Sequence, residues 1–128
     1  MRLLLDTHAL LWFYLSNEKL SQMAKAAILD PSSEVFVSPA SYWEIAIKIS
    51  LGKYQLNENY SDFIDNAIVK NGFKILAIET SHTAKLLELS FHHKDPFDRL
   101  LVAQALVEQL TLVSNEKIFD DYNVPRIW

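Results

Sequence analysis

The chain has 128 residues, half of them hydrophobic, and sets 12 Lys plus Arg against 16 Asp plus Glu for a formal charge of −4. That length and apolar content suit one domain, residues 1–128, with a real core, and exclude a disordered chain. The acidic balance counts against simple binding of a nucleic-acid backbone, the absence of Cys removes disulfides, thiolate nucleophiles and cysteine metal sites, and no apolar run reaches the ~18 residues of a membrane span.

The first element is Leu3, Leu4 and Leu5, three apolar residues ended abruptly by Asp6, which read as a short strand buried on both faces. Asp6 also ends the apolar run behind Arg2, so no secretory leader is expected and a cytoplasmic protein is. Asp6 or Thr7 is then the N-cap of a helix over residues 9–15. A second helix spans about 21–29, with Ser21 as its cap, and stops at Asp30 and Pro31. Val35, Phe36 and Val37 form the second strand. Pro39 suits the first position of a helix, read over residues 42–51, and Gly52 stands where a C-terminal cap belongs.

A helix over residues 62–70, capped by Ser61, ends at Asn71 and Gly72. Residues 74–78 are the third strand, and Thr80 caps a helix over residues 81–89. Asp95 and Pro96 open the strongest helical segment, which runs to about Gln109, and residues 110–114 are the fourth strand. A short turn or helix lies near residues 116–121, and residues 124–128 form a fifth strand, kept at an edge by Pro125. Strands alternate with helices throughout, which predicts an α/β fold: a parallel sheet with helices on both faces and right-handed crossovers.

With only Gly52 and Gly72 present, a dinucleotide-binding glycine loop, a Walker A loop and a nucleophile elbow are all excluded. The chemistry must come from acids. Asp6 follows the first strand, Glu44 lies early in the helix after the second, Asp95 and Asp98 open the Pro96 helix, and Glu116 lies just beyond the fourth strand. In a parallel sheet, strand ends and the helix starts that follow them share one edge, where open α/β sheets bind ligands.

Each acid also has a structural reading. Ser41 and Glu44 have capping-box spacing, Asp95 is a natural N-cap before Pro96, and Asp98 would sit favourably in the first turn; Asp120 and Asp121 are assigned to solvent. Two carboxylates about 5 Å apart repel by roughly 3 kcal/mol at an effective dielectric of about 20, so a converging group calls for a cation or shared protons. Oxygen ligands favour Mg²⁺ or Mn²⁺ over Zn²⁺. The aromatic residues Trp12, Phe13, Tyr14, Tyr42 and Trp43 read as core or as interface anchors.

Four blocks carry a family resemblance: residues 3–8, Leu-Leu-Leu-Asp-Thr-His; Ser38, Ser41 and Glu44; residues 92–105, from His92 through Asp95-Pro96-Phe97-Asp98-Arg99 to Ala105; and residues 112–119 around Ser114 and Glu116. In this order the chain resembles PIN-domain ribonucleases, and within them the VapC-type toxins of bacterial toxin–antitoxin pairs. The resemblance implies a three-layer α/β/α fold with a mainly parallel sheet of four or five strands. It implies a Mg²⁺- or Mn²⁺-dependent endoribonuclease that acts on RNA, forms a homodimer and is held by a small antitoxin.

The family acids fall on Asp6, Glu44 and Asp98, the last preferred to Asp95 by its spacing from Ala103 and Ala105. The fourth family acid is commonly Asp, and here it is Glu116. These four are the expected catalytic and metal-binding residues. His8, where many relatives have Asn, is a candidate substrate contact together with Thr7, Arg99 and Ser114. Arg99 is read either as a phosphate contact or as a helix-surface ion pair. Two other functions stay open: a phosphohydrolase with Asp6 as nucleophile, and a binding module without catalysis.

Overall fold

The opening leucines are the middle of the molecule. In a computed structural model that describes Met1–Trp128, they lie in β1 (Arg2–Leu5) and are fully buried. β1 pairs in parallel with β2 (Glu34–Val37) on one side and β4 (Thr111–Val113) on the other. β3 (Lys74–Ile75) and β5 (Arg126–Ile127) complete a parallel sheet of order β3-β2-β1-β4-β5.

Strand side chains alternate between faces, so the leucine run serves two cores at once. Leu3 and Leu5 join Val35, Val37 and Val113 on one face. There they pack against α1 (Thr7–Tyr14), α2 (Gln22–Leu29), Ile45 of α3 (Pro39–Ser50), Phe63 of α4 (Tyr60–Ile64), and the π-helical turn Asp65–Val69 that continues α4. Leu4 and Leu112 face the other way, onto Leu101, Val102 and Ala105 of α6 (Pro96–Glu108) and onto Phe119, Tyr122 and Val124. Each such leucine contributes roughly 2 kcal/mol of burial. The layers are α/β/α, as the alternation of elements and the resemblance both imply.

The chain runs from β1 outward to β3, returns beside β1 as β4, and ends outward again at β5. The direction of winding therefore reverses between β1 and β4, and the carboxyl ends of these two strands face the same crevice. Asp6 N–H donates to the Val113 carbonyl at 3.1 Å and ties the two strand ends together.

Several boundaries differ from the sequence reading. α3 begins at Pro39, with Ser38 as its N-cap, which places Glu44 in the second turn and removes the capping box with Ser41. Asn59, not Ser61, caps α4. Glu79, not Thr80, opens α5 (Thr80–Leu86), and His82 returns the bond by accepting the Glu79 N–H at Nδ1. Gly52 does follow the end of α3, at a φ of +75° that suits a residue without a side chain. No helix is long and apolar enough to cross a membrane.

Candidate metal centre

Asp6 stands at the end of β1 because the strand stops and α1 starts there. Its Oδ1 accepts the Ala9 N–H at 2.7 Å, so it is the N-cap of α1. One carboxylate oxygen thus serves the helix, and Asp6 still lines a cavity of about 80 Å³ with no hydrophobic side chain in its wall. Thr7, His8, Glu44, Lys48, Asp95, Asp98 and Glu116 line the same cavity. All four acids expected from the sequence are thereby brought to one place, from four different segments.

Their partners differ. Glu44 is held on both oxygens: Thr7 Oγ1 donates to Oε1 at 2.7 Å, and Lys48 Nζ, one turn on, lies 3.0 Å from Oε2. Burial works against the Lys48 ammonium, but the bond to Glu44 and its charge prevail and raise the pKa. Asp95 caps α6 by accepting the Phe97 and Asp98 N–H groups at 2.8 and 3.2 Å. One Asp95 oxygen, Oδ1, thus serves the helix, while Asp98 makes no capping bond; both residues line the cavity.

The cost of gathering these acids is visible in their protonation. Burial, then the charges of Glu116, Asp95, Asp6 and Glu44, push the Asp98 carboxyl up to about 8. Burial raises Asp6 to about 6, against the opposing help of the Ser114 hydroxyl, the Ala9 N–H and His8. One lysine among five acids leaves a strong local excess of negative charge. Oxygen donors around a small polar cavity fit a hard divalent cation, and such an ion reverses the electrostatics that keep Asp98 protonated.

His93 lies in the third sequence block, where the pattern assigns it no role. Its Nδ1 accepts the Asp95 N–H at 3.1 Å, which fixes the neutral tautomer with its proton on Nε2. Nε2 lies 3.0 Å from both Asp98 Oδ2 and Glu116 Oε2. The ligand-capable atoms of His93, Asp98 and Glu116 lie within 4.8 Å of one another. With Nε2 committed as a donor, His93 positions the two acids rather than offering a lone pair. The missed signal was a His close before the helix-opening acid; Lys48, also missed, was readable as a cation one turn after Glu44.

Ser114 is buried, and its Oγ accepts the Glu116 N–H at 3.1 Å, so it braces the turn that carries the fourth acid. Thr7 is largely buried in the cavity wall, with its hydroxyl engaged by Glu44. Arg99 departs from both of its readings. It is buried away from the cavity, with Nη1 donating to the Ser90 carbonyl at 2.8 Å and Nη2 reaching the Leu86 and Leu89 carbonyls at 3.4 Å. The guanidinium fastens the end of α5 and the segment after it to α6: it shares the Leu86 carbonyl with the Leu89 N–H and serves the Leu89 and Ser90 carbonyls beyond the helix end.

Residues 3–125 match the PIN-domain family. The chain belongs to that family. No curated protein matches it by sequence. Among solved structures, the PIN domain resembles VapBC2 from Rickettsia felis bound to a DNA fragment from its promoter, with a TM-score of 0.74, 18% identity, and 99% of this chain and 98% of that one covered. VapBC-1 from nontypeable Haemophilus influenzae gives 0.70 at 15% identity, covering 99% and 97%. FitAcB from Neisseria gonorrhoeae gives 0.70 at 18%, covering 98% and 96%. At these identities the likeness is one of fold.

Proposed function

We propose that this PIN domain is a divalent-metal-dependent endoribonuclease and the toxin of a toxin–antitoxin pair, working in the cytoplasm as a homodimer restrained by a small antitoxin. The observation that carries the reading is the convergence of Asp6, Glu44, Asp98 and Glu116 on one polar cavity at the switch point of the sheet. The likeness of its fold to VapBC and FitAcB structures supports the toxin assignment and the expectation of an antitoxin partner.

The four carboxylates would hold Mg²⁺ or Mn²⁺, which supplies an activated water and neutralises charge on the phosphodiester. The chain's own contribution is to keep the acids in place. Asp6 is fixed by the α1 cap, Glu44 by Thr7 and Lys48, and Asp98 and Glu116 by His93. A phosphohydrolase using Asp6 as nucleophile fits less well, because the acids around it repel a phosphate and few donors are left to receive one. Glu116 reaches the cavity despite its extra methylene, which weighs against a module that has lost its site.

The test is Asp6→Asn, since Asn also caps helices and spares α1. Melting curves with EDTA, Mg²⁺ and Mn²⁺ are recorded beside a cleavage assay on structured RNA. The intact protein should gain about 2.7 kcal/mol at a hundred times Kd, a rise of several degrees. Asp6→Asn should lose most of that rise and the cleavage. A variant that keeps both would overturn the reading.

A further inference from the structure

A second cavity opens beside the acid cluster, and its chemistry is the reverse of its neighbour's. It measures about 360 Å³, and its wall includes His8, Trp12, Lys19, Lys53 and Tyr54 but no carboxylate. The two cavities share one wall residue. His8 lines both, and its ring stacks on Trp12 with centroids 5.1 Å apart and planes 18° from parallel. Lys48, in the wall of the acid cavity, lies 5.2 Å from the centroid of the Tyr54 ring in the other.

The lysines that form ion pairs are Lys48, Lys70, Lys74 and Lys85. Lys19 and Lys53 are exposed and keep unpaired charge, with Lys19 Nζ 5.8 Å from the centroid of the Trp12 ring. In a chain of net charge −4, with its acids gathered where a phosphodiester would be cut, a polyanion needs cations close by. Aromatic rings beside unpaired cations are what single-stranded nucleic acid uses: bases stack, and phosphates find charge.

We infer that this cavity is a nucleotide subsite, which receives the single-stranded RNA flanking the scissile phosphate, with a base stacked at Trp12 and the backbone passing Lys19 and Lys53. The inference deepens the nuclease reading and rests on it for the position of the cut. His8 is the contact at the junction, belonging to both cavities.

The experiment measures binding apart from catalysis. A fluorescein-labelled single-stranded RNA of about ten nucleotides, within the span one such groove covers, is titrated in EDTA over a series of salt concentrations and followed by anisotropy. Lys19→Gln/Lys53→Gln is the deciding variant, because both side chains are exposed and unpaired and the fold does not need them. Its Kd should rise roughly fivefold or more, and the slope of log K against log salt should shrink by about 0.7 for each lysine that touches a phosphate. Trp12→Ala should weaken binding about tenfold and Trp12→Phe should restore most of it, whereas a purely structural Trp12 would change the melting temperature without this rescue.

With metal present, the lysine variant should raise KM and leave kcat unchanged. Unaltered Kd and salt slope in the lysine variant would overturn the subsite and leave the nuclease intact. RNA binding that responds to these variants in a protein that cuts nothing would do the opposite. An acidic peptide that displaces the RNA at equal concentration would assign the groove to a protein and overturn the inference.

Discussion

His82 and His93 are bonded alike and placed in opposite company. Each accepts a backbone N–H at Nδ1, from Glu79 and Asp95 respectively, and each turns Nε2 toward acid. His82 is fully buried and meets one carboxylate, Glu108 at 3.1 Å, so it clamps α5 to α6. His93 meets two, Asp98 and Glu116, and beyond them stand Asp6, Glu44 and Asp95. One acid per imidazole makes a structural tie. Five acids near one imidazole and one lysine leave charge that neither residue can balance. The difference marks where the fold spends stability to keep a site ready for a cation.

The comparison breaks hardest at Asp98. Asp98→Asn should lower metal-dependent RNA cleavage by roughly a hundredfold or more, because it removes a ligand charge from the centre. In EDTA the variant should match the parent's melting temperature below about pH 4, where the Asp98 carboxyl is protonated in both the folded and the unfolded chain, and should exceed it by a margin that widens as pH rises toward the folded value of about 8. Equal cleavage in the two proteins would remove Asp98 from the reaction.

A pH series on the metal-free protein sharpens the same point. Asp6 and Asp98 have folded-state values of about 6 and about 8, above the ordinary 3.8, so between about 4 and 8 the native state holds more protons than the unfolded one. Stability must then fall as pH rises through that window, by an amount on the order of several kcal/mol at about 1.4 kcal/mol per pH unit of displacement. The melting temperature in EDTA should decline from pH 5 to pH 8.5, and saturating Mg²⁺ should flatten the curve. A metal-free protein that grows more stable over this range would contradict a repelling cluster.

Exchanging the histidines separates tie from site. His82→Gln should cost roughly 2 kcal/mol by leaving buried partners unsatisfied, with metal affinity retained by the folded protein. His93→Gln should change the melting temperature less and weaken Mg²⁺ binding about tenfold, the usual size of a positioning effect on a metal ligand. Calorimetric titration with Mg²⁺ beside thermal melts reads both; equal losses of metal affinity would erase the distinction. Asp121→Asn is the smallest change, within about 0.5 kcal/mol and without effect on cleavage, because it lies on the surface outside the cluster.

The sheet was readable because the leucine run, the repeated strand–helix alternation and the proline-marked starts of α3 and α6 are local signals. The four acids were readable because parallel winding brings strand ends and helix starts to one edge, whatever their distance in sequence. The bridging role of His93 was not, since it depends on how the segment between α5 and α6 folds back over Glu116. Arg99 failed for a related reason: a charged residue early in an amphipathic helix reads as exposed until the Leu89 and Ser90 carbonyls, just beyond α5, are found against it. Of the five early aromatics, Trp43 is 59% exposed and the other four are partly covered, so the choice between core and interface divides within the group.

The rims of the sheet carry a consequence for how other proteins can hold this one. β3 and β5 contribute two residues each, and Pro125, just before β5, has no N–H to offer. A peptide that docks by extending a sheet needs a longer row of open backbone donors and acceptors than either rim presents. The same brevity protects the parallel sheet from edge-to-edge stacking in a crowded cell. A partner that binds this chain would therefore have to read side chains on the helical layers rather than add a strand to the sheet.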